Sequence, residues 1–363
     1  MGVLKKLLRT HLRTFLPALL LAFGAAEACI ALDTPLPWMI GPLFSTALAC
    51  MLGARLSAPV QAREAGQWAI GTALGLYFSA PVLAALARNL PWIVLAVAVA
   101  ICLGVASGAM LRRLSGSDEA TAFFAMAVGG ASEMAVQGER HGAVVERVAA
   151  AHSLRIMMVV GTIPFAVRWL AGHGWGAGLD AFTPLAGSVD AGGLAMLIML
   201  TGAAALLLKR FKLPNAWVIG PLAVALALTA AGVQLSRLPE WMIRTGQLFI
   251  GVSLGTRFTP GFVRTAPRYL AGVAACTALT MLVAGLFAVL VAQATSLHPG
   301  TLILATSPGG IAEMSLTARV LHLGVPVVTA FHVSRMVIVV LAIGPLYRGW
   351  RRATGASGIG CSR

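Results

Sequence analysis

Charge is what this sequence has least of. Only 11% of its 363 residues are charged, where a soluble domain carries about 25%. So few charges cannot coat a water-facing surface, which excludes a soluble enzyme, a free DNA-binding domain and a disordered tail. Acids are the scarcer sign, with 12 Asp and Glu against 27 Lys and Arg. Cysteine is sparse too, and Cys29, Cys50, Cys102, Cys276 and Cys361 form no C-x-x-C pair. That argues against a disulfide framework or a zinc site. The seven histidines include no H-x-x-x-H or H-E-x-x-H pair, and phosphate-loop, dinucleotide and Ser-His-Asp spacings are all missing. No metal or other cofactor is expected, and the chain does not read as an enzyme. The alternating strands of an outer-membrane barrel are missing as well.

What fills the sequence is apolar residues, 58% of the total, with a mean hydropathy of +0.87. Long apolar stretches recur from end to end. Each spanning helix needs about 20 residues, so the length suits roughly ten to twelve spans. An all-α polytopic membrane protein follows, because helices satisfy their own backbone groups in lipid. A net charge of +15 would suggest nucleic acid in a soluble chain. Here the basic residues cluster between apolar runs, where they act as topology signals. The expected partners are therefore the lipid bilayer and a small-molecule or ion substrate, with no nucleic acid; a homodimer stays open. Lys5, Lys6, Arg9 and Arg13 before the apolar run from Phe15 to Leu32 imitate a signal peptide. A counterpart of this segment deep in the chain favours a retained first span.

That counterpart belongs to a duplication. Trp38-Met39-Ile40-Gly41-Pro42-Leu43 returns as Trp217-Val218-Ile219-Gly220-Pro221-Leu222, at an offset of 179. Gly66-Gln67-Trp68-Ala69-Ile70-Gly71 returns as Gly246-Gln247-Leu248-Phe249-Ile250-Gly251, offset 180. Gly129-Gly130-Ala131-Ser132-Glu133-Met134 returns as Gly309-Gly310-Ile311-Ala312-Glu313-Met314, and His152 and Arg155 return as His332 and Arg335. Apolar composition alone would not align Gln, Glu, His and Arg at one offset. The chain therefore divides into membrane repeat 1 (1–170), an external linker (171–190), membrane repeat 2 (191–352) and a cytoplasmic tail (353–363).

Each half holds six apolar segments, near 15–32, 37–54, 66–87, 90–111, 119–137 and 148–170, then 191–208, 215–233, 246–256, 269–292, 301–318 and 325–346. Cytoplasmic loops should carry the Lys and Arg. Five crossings per half, with the Gly-Gly-x-x-Glu-Met segment broken or re-entrant, put the N-terminus, Arg112, Arg113, Lys209, Arg210, Lys212, Arg257, Arg264, Arg268 and the C-terminal arginines inside. Arg237 and Arg244 are left outside. Both termini are then cytoplasmic, in a bacterial inner membrane. An odd number of crossings inverts the two repeats, an architecture typical of secondary transporters with a site at the repeat interface.

Few polar residues lie within the apolar segments, and they are the candidate site. Gly129-Gly130 and Gly309-Gly310 break helices in mid-membrane, and a half-helix that starts there aims amide N–H groups into a cavity. Glu133 and Glu313 are expensive in hydrocarbon unless paired, which points to a proton or ion path; each could instead cap its own half-helix. Arg155 and Arg335 share a helix face with His152 and His332, and their economical partner is a Glu-Met carboxylate. Ser132, Gln67 and Gln247 complete the substrate- and ion-binding set. The spacings Gly71-x-x-x-Gly75 and Gly251-x-x-x-Gly255 allow close helix approach, while Ile-Gly-Pro-Leu marks a kinked scaffold span.

The paired Trp-x-Ile-Gly-Pro-Leu, Gly-Gln-x-x-Ile-Gly and Gly-Gly-x-x-Glu-Met elements, one set per half, resemble the AbrB-type bacterial inner-membrane proteins from about Phe15 to Gly349. Val128 stands where the second half has Pro308, which predicts a softer first break. The family carries the labels ammonia monooxygenase and transcriptional regulator. An oxygenase needs a metal or redox site, and a direct regulator needs a soluble DNA-binding module; the sequence offers neither. The expected function is ion-coupled secondary transport of a small solute. The alternative is a membrane sensor that influences gene expression indirectly.

Overall fold

A computed structural model describes residues 2–173, 188–261 and 266–353. The expected tail from residue 354 onward, most of the expected external linker, and Arg264 and Cys361 lie outside the described residues. Every regular element among the described residues is an α-helix. Repeat 1 contributes α1 (Gly2–Ala31), α2 (Pro37–Met51), α3 (Val60–Gly75), α4 (Ala80–Arg88), α5 (Leu90–Ser115), α6 (Glu119–Met126), α7 (Ala131–Glu139) and α8 (Val145–Gly172). Repeat 2 contributes α9 (Ala191–Arg210), α10 (Ala216–Ala230), α11 (Glu240–Gly255), α12 (Pro267–Ala294), α13 (Pro299–Thr306), α14 (Ile311–Val320) and α15 (Val325–Ala353).

Among the described residues, six helices are long and apolar enough to cross a membrane: Arg13–Ala31 of α1, and α5, α8, α9, α12 and α15. Length and composition thus make the chain a multi-pass membrane protein. Its outer faces agree. Leu282, Leu286 and Leu290 form one stripe along α12 and are 72%, 62% and 56% exposed, an arrangement suited to lipid contact. The shorter apolar helices α2 and α10 have 15 residues each.

The apolar segment near 66–87, expected to be short or glycine-broken, is two helices. Its first helix starts earlier, at Val60, and α3 and α4 meet at an angle of 87°. Pro81 at the start of α4 suits a fresh helix rather than a continuing one.

The duplication reaches the helix bounds. The pairs α2 and α10, α3 and α11, and α6 and α13 have equal lengths of 15, 16 and 8 residues. Even the backbone entry is repeated: Leu36 before α2 and Asn215 before α10 both adopt positive φ, at 53° and 50°.

Packing sorts the helices into two groups. α1, α2, α3, α9, α10 and α11 pack on one another, while α5 to α8 pack with α12 to α15. Fewer contacts join the groups, chiefly α3 with α14 and α15, α2 with α8, and α4 with α5, α10 and α15. In the first group the repeats trade partners. A methyl on Gly75 of α3 would lie 2.7 Å from the Leu222 carbonyl of α10, and one on Gly255 of α11 would lie 2.6 Å from the Leu43 carbonyl of α2. The Gly-x-x-x-Gly spacing therefore seats each Gly-Gln helix on the opposite repeat's Ile-Gly-Pro-Leu helix. α3 and α11 also cross, with Gly66 and Gly246 back to back.

Candidate functional site: two latched helix breaks around one cavity

α6 ends at Met126 and α7 starts at Ala131; α13 ends at Thr306 and α14 starts at Ile311. The last carbonyls of a helix lack helical donors. Arg155 on α8 supplies donors, Nη1 to the Ala127 carbonyl at 2.9 Å and Nη2 to the Gly129 carbonyl at 3.3 Å. Arg335 on α15 repeats this for the Ser307 carbonyl at 2.7 Å and for the Gly309 carbonyl. Each arginine also meets the histidine one turn before it, with Nη2 to Nδ1 distances of 2.8 Å for His152 and 2.9 Å for His332. A guanidinium only donates, so Nδ1 accepts and the proton sits on Nε2. That Nε2–H donates to the Phe124 carbonyl at 3.0 Å in one half and the Leu304 carbonyl at 2.9 Å in the other. The His-x-x-Arg pair is thus a latch on the broken helix.

This arrangement corrects the expectation that a Glu-Met carboxylate pairs with Arg155 or Arg335. Neither arginine is in an ion pair among the described residues. The negative ends of α6 and α13 take the place of a counter-charge. The expected softer first break is corrected as well. Ala127 (φ −55°, ψ 134°) and Ser307 (φ −58°, ψ 149°) turn alike, because the latch grips both backbones in the same way with or without Pro308.

Each letter of Gly-Gly-x-x-Glu-Met has a contact. A methyl on the first glycine would strike the methionine, 2.6 Å from Met134 Cε at Gly129 and 2.7 Å from Met314 Cγ at Gly309. A methyl on the second would overlap a carboxylate, Glu133 Oε2 at Gly130 and Glu313 Oε2 at Gly310. Glu133 and Glu313 are the third residues of α7 and α14, the position from which an acid reaches back to cap a helix start. Each carboxylate therefore lies at the positive end of its own half-helix.

The two breaks meet at a cavity of about 120 Å³ between the two helix groups. Of the sequence candidates, Gly129, Gly130, Gly309, Gly310, Arg155, Arg335, His332, Glu313 and Gln67 line it. Glu133 stands behind Gly130, and His152 is fully buried beside Arg155. Gln247 is buried in α11 and is not among the lining residues, so the two glutamines are not brought together there. Ser132 lines a neighbouring cavity of about 630 Å³ instead. The two cavities share Ala131 and Arg257.

Three polar lining residues were not among the site candidates: Arg63, Asn215 and Arg257. Attention to what recurs hid them. Their counterparts in the other repeat are Ile243, Leu36 and Tyr77, so they are places where the duplication has diverged. A search for charged or amide residues whose twins are aliphatic or aromatic would have found all three.

Comparison with known proteins agrees with the motif resemblance. The family profile described as "Transition state regulatory protein AbrB" matches residues 38–351. The chain is similar to "Uncharacterized protein YhjN" of Bacillus subtilis (strain 168), with 28% identity over 86% of each chain. It is also similar to "Putative regulator AbrB" of Escherichia coli (strain K12), with 25% identity over 90% of this chain and 92% of that one. No solved structure matches. Since the profile spans most of its length, the chain belongs to the AbrB family.

Proposed function

We propose that this protein is an ion-coupled secondary transporter of a small solute across the bacterial inner membrane, built of two inverted repeats of about five spans with one re-entrant Gly-Gly-x-x-Glu-Met segment each. The observation that carries the reading is the meeting of two identically latched helix breaks at one cavity between two helix groups. Broken backbone at membrane depth is tolerated where it lines such a cavity, and paired broken helices at a repeat interface are the usual transporter site.

Two hydrogen bonds support the re-entrant geometry. The Thr121 hydroxyl, at the start of α6, accepts from the Val144 N–H just beyond α7 at 2.8 Å. The Thr301 hydroxyl accepts from the Gly324 N–H at 3.1 Å. A segment whose two ends meet returns to the side it entered, which leaves an odd number of crossings per repeat. The side is argued from charge. Arg268 Nε donates to the Leu114 carbonyl at 2.9 Å, and the Tyr269 hydroxyl donates to the Arg147 carbonyl at 3.0 Å. These bonds gather the end of α5 and the starts of α8 and α12 with Arg112, Arg113, Arg147 and Arg268, a basic end that reads as cytoplasmic. Both termini then lie inside. Cysteines placed at Ser357 and Gly178 test this; external reagent should label only the second.

In this reading Glu133 and Glu313 carry the coupling proton or sodium ion, and the latches keep the breaks rigid while the helix groups shift. The deciding experiment is uptake by proteoliposomes of the purified chain, with amino acids, organic acids, ammonium or drugs outside and an imposed proton or sodium gradient. Gradient-driven accumulation supports transport. Ligand binding without accumulation decides for the second reading, a membrane sensor that acts on gene expression indirectly. That reading is favoured by the regulator names of the family and the Escherichia coli relative.

A further inference from the structure

We infer that the cavity at the two breaks takes a small organic anion, a dicarboxylate in preference to a monocarboxylate. The inference deepens the transporter reading by naming a substrate class for the same site. It starts from charge. Arg63, Arg155, Arg257 and Arg335 all line the cavity, and none is within ion-pair distance of a carboxylate among the described residues. The acids at the cavity are Glu313 on its wall and Glu133 folded over Gly130. Four guanidinium groups against two carboxylates leave an excess of two positive charges even with both acids ionised.

The helix termini add to this. α7 and α14 both begin at the cavity, behind glycine N-caps that provide no side-chain acceptor. The positive ends of these helices favour negative charge, part of which Glu133 and Glu313 already supply. An independent feature points the same way. Arg155 and Arg335 are only 5% and 8% exposed, and the Nε–H of each has no hydrogen-bond partner. A buried donor left unmade twice, at the same place in both halves, is costly unless an acceptor arrives.

The layout favours a two-ended ligand. The inner layer, made of the breaks and latches, already holds two carboxylates. Both acids lie within electrostatic reach of Arg257, and Glu313 also within that of Arg63, so the excess of two positive charges belongs to the cavity as a whole; Arg257 also borders the larger cavity of about 630 Å³. Asn215 stands in the same wall with amide Nδ2, its bond being to the weak acceptor Met336 Sδ at 3.0 Å. One carboxylate would face the unpartnered Nε–H groups of Arg155 and Arg335 and a second would face Arg63 and Arg257. Their twins are Ile243 and Tyr77, so the other side of the duplication offers no equal seat for that second group.

The test is ligand binding to the purified full-length chain in detergent, read by thermal stabilisation and titration calorimetry. Succinate, malonate and glutarate are the dicarboxylate probes, acetate and lactate the monocarboxylates, succinamide the neutral control and ammonium chloride the cation. At least one dicarboxylate is expected to stabilise the protein, with monocarboxylates weaker and succinamide and ammonium without effect. Arg63→Gln and Arg257→Gln, both half-buried and outside the latches, should each weaken the dicarboxylate roughly tenfold or more, as loss of a charged hydrogen bond does. Equal response to succinamide, stabilisation by ammonium alone, monocarboxylates binding as tightly as dicarboxylates, unchanged affinity in both variants, or no response to any dicarboxylate would each overturn the inference. Its failure is separable from that of the transporter reading. Anion binding without vesicle uptake keeps the anion site and sinks transport. Uptake of a cation keeps transport and sinks the anion site.

Discussion

α7 and α14 stand at matching positions of the two repeats, yet α14 is buried from Ile311 to Ala318 while α7 exposes Ser132, Val136 and Glu139. In the two latches the histidine-to-carbonyl and the arginine-to-histidine distances each agree to about 0.1 Å. What differs is cover. Phe78, Val82 and Leu86, beside and within α4, join the same buried cluster as Met314, Leu316, Val327 and Val328. Beside α7 lies the cavity of about 630 Å³ instead. The contrast separates two levels of control. Local chemistry, meaning the break, its arginine and its capping acid, is fixed within each repeat. Packing is fixed by what the rest of the molecule lays against it. The transport proposal would take the open side and the covered side as its two gates.

The sharpest way to break the comparison is to remove a latch. Arg335→Ala strands the Ser307 and Gly309 carbonyls and His332 in a buried setting. At about 1–3 kcal/mol for each stranded group, a loss of roughly 4 kcal/mol in unfolding free energy is expected. Arg155→Ala should lose less, because water can reach the α7 side. The pair is compared by denaturant or thermal unfolding in one detergent. The reverse order would show that burial does not set the value of the latch. Arg335→Ala combined with Glu313→Gln should be additive, since the two groups do not pair; recovery of stability in the double variant would restore the Arg–Glu pair.

A second measurement compares access. In a background without native cysteines, Ser132→Cys should react with a polar thiol reagent far faster than Ala312→Cys. Ala312 is 8% exposed and needs local opening before it reacts, so a difference on the order of a hundredfold is expected. Equal rates would mean that the two sides interchange freely without ligand.

Smaller effects test the glycines and the acids. Gly310→Ala and Gly130→Ala each push a carboxylate off its helix start and should destabilise by about 1–2 kcal/mol, more at Gly310, where α14 has no room to yield. Glu133→Gln and Glu313→Gln keep shape and a cap-competent side chain, so melting temperatures should change by less than the equivalent of about 0.5 kcal/mol. Solute uptake should fall in both. Unchanged uptake with a lowered melting temperature would reduce these acids to caps.

How much was legible varies from residue to residue. The Gly-x-x-x-Gly spacings announced close helix approach but not that each would receive the other repeat's helix, because a spacing names one face and not its partner. Arg155 and Arg335 announced a buried charge. Their destination was misread because charges were balanced against side chains alone, when the break itself frees backbone carbonyls. Gln67 and Gln247 look equivalent in sequence, yet only Gln67 lines the cavity.

By itself the sequence determined the class of the molecule. Low charge, long apolar runs and a constant offset dictate helices, membrane and duplication, because each follows from composition or from period, which need no partner in space. The positions of the breaks were determined too, since paired glycines act on their own backbone. Only the tertiary structure decided that the two breaks meet at one cavity, that guanidinium groups latch carbonyls, that Arg63, Asn215 and Arg257 join the lining, and that α14 is covered while α7 is open. Those outcomes depend on which surfaces far apart in the chain come together, and in a duplicated chain the sequence writes each surface twice without saying which copy is buried.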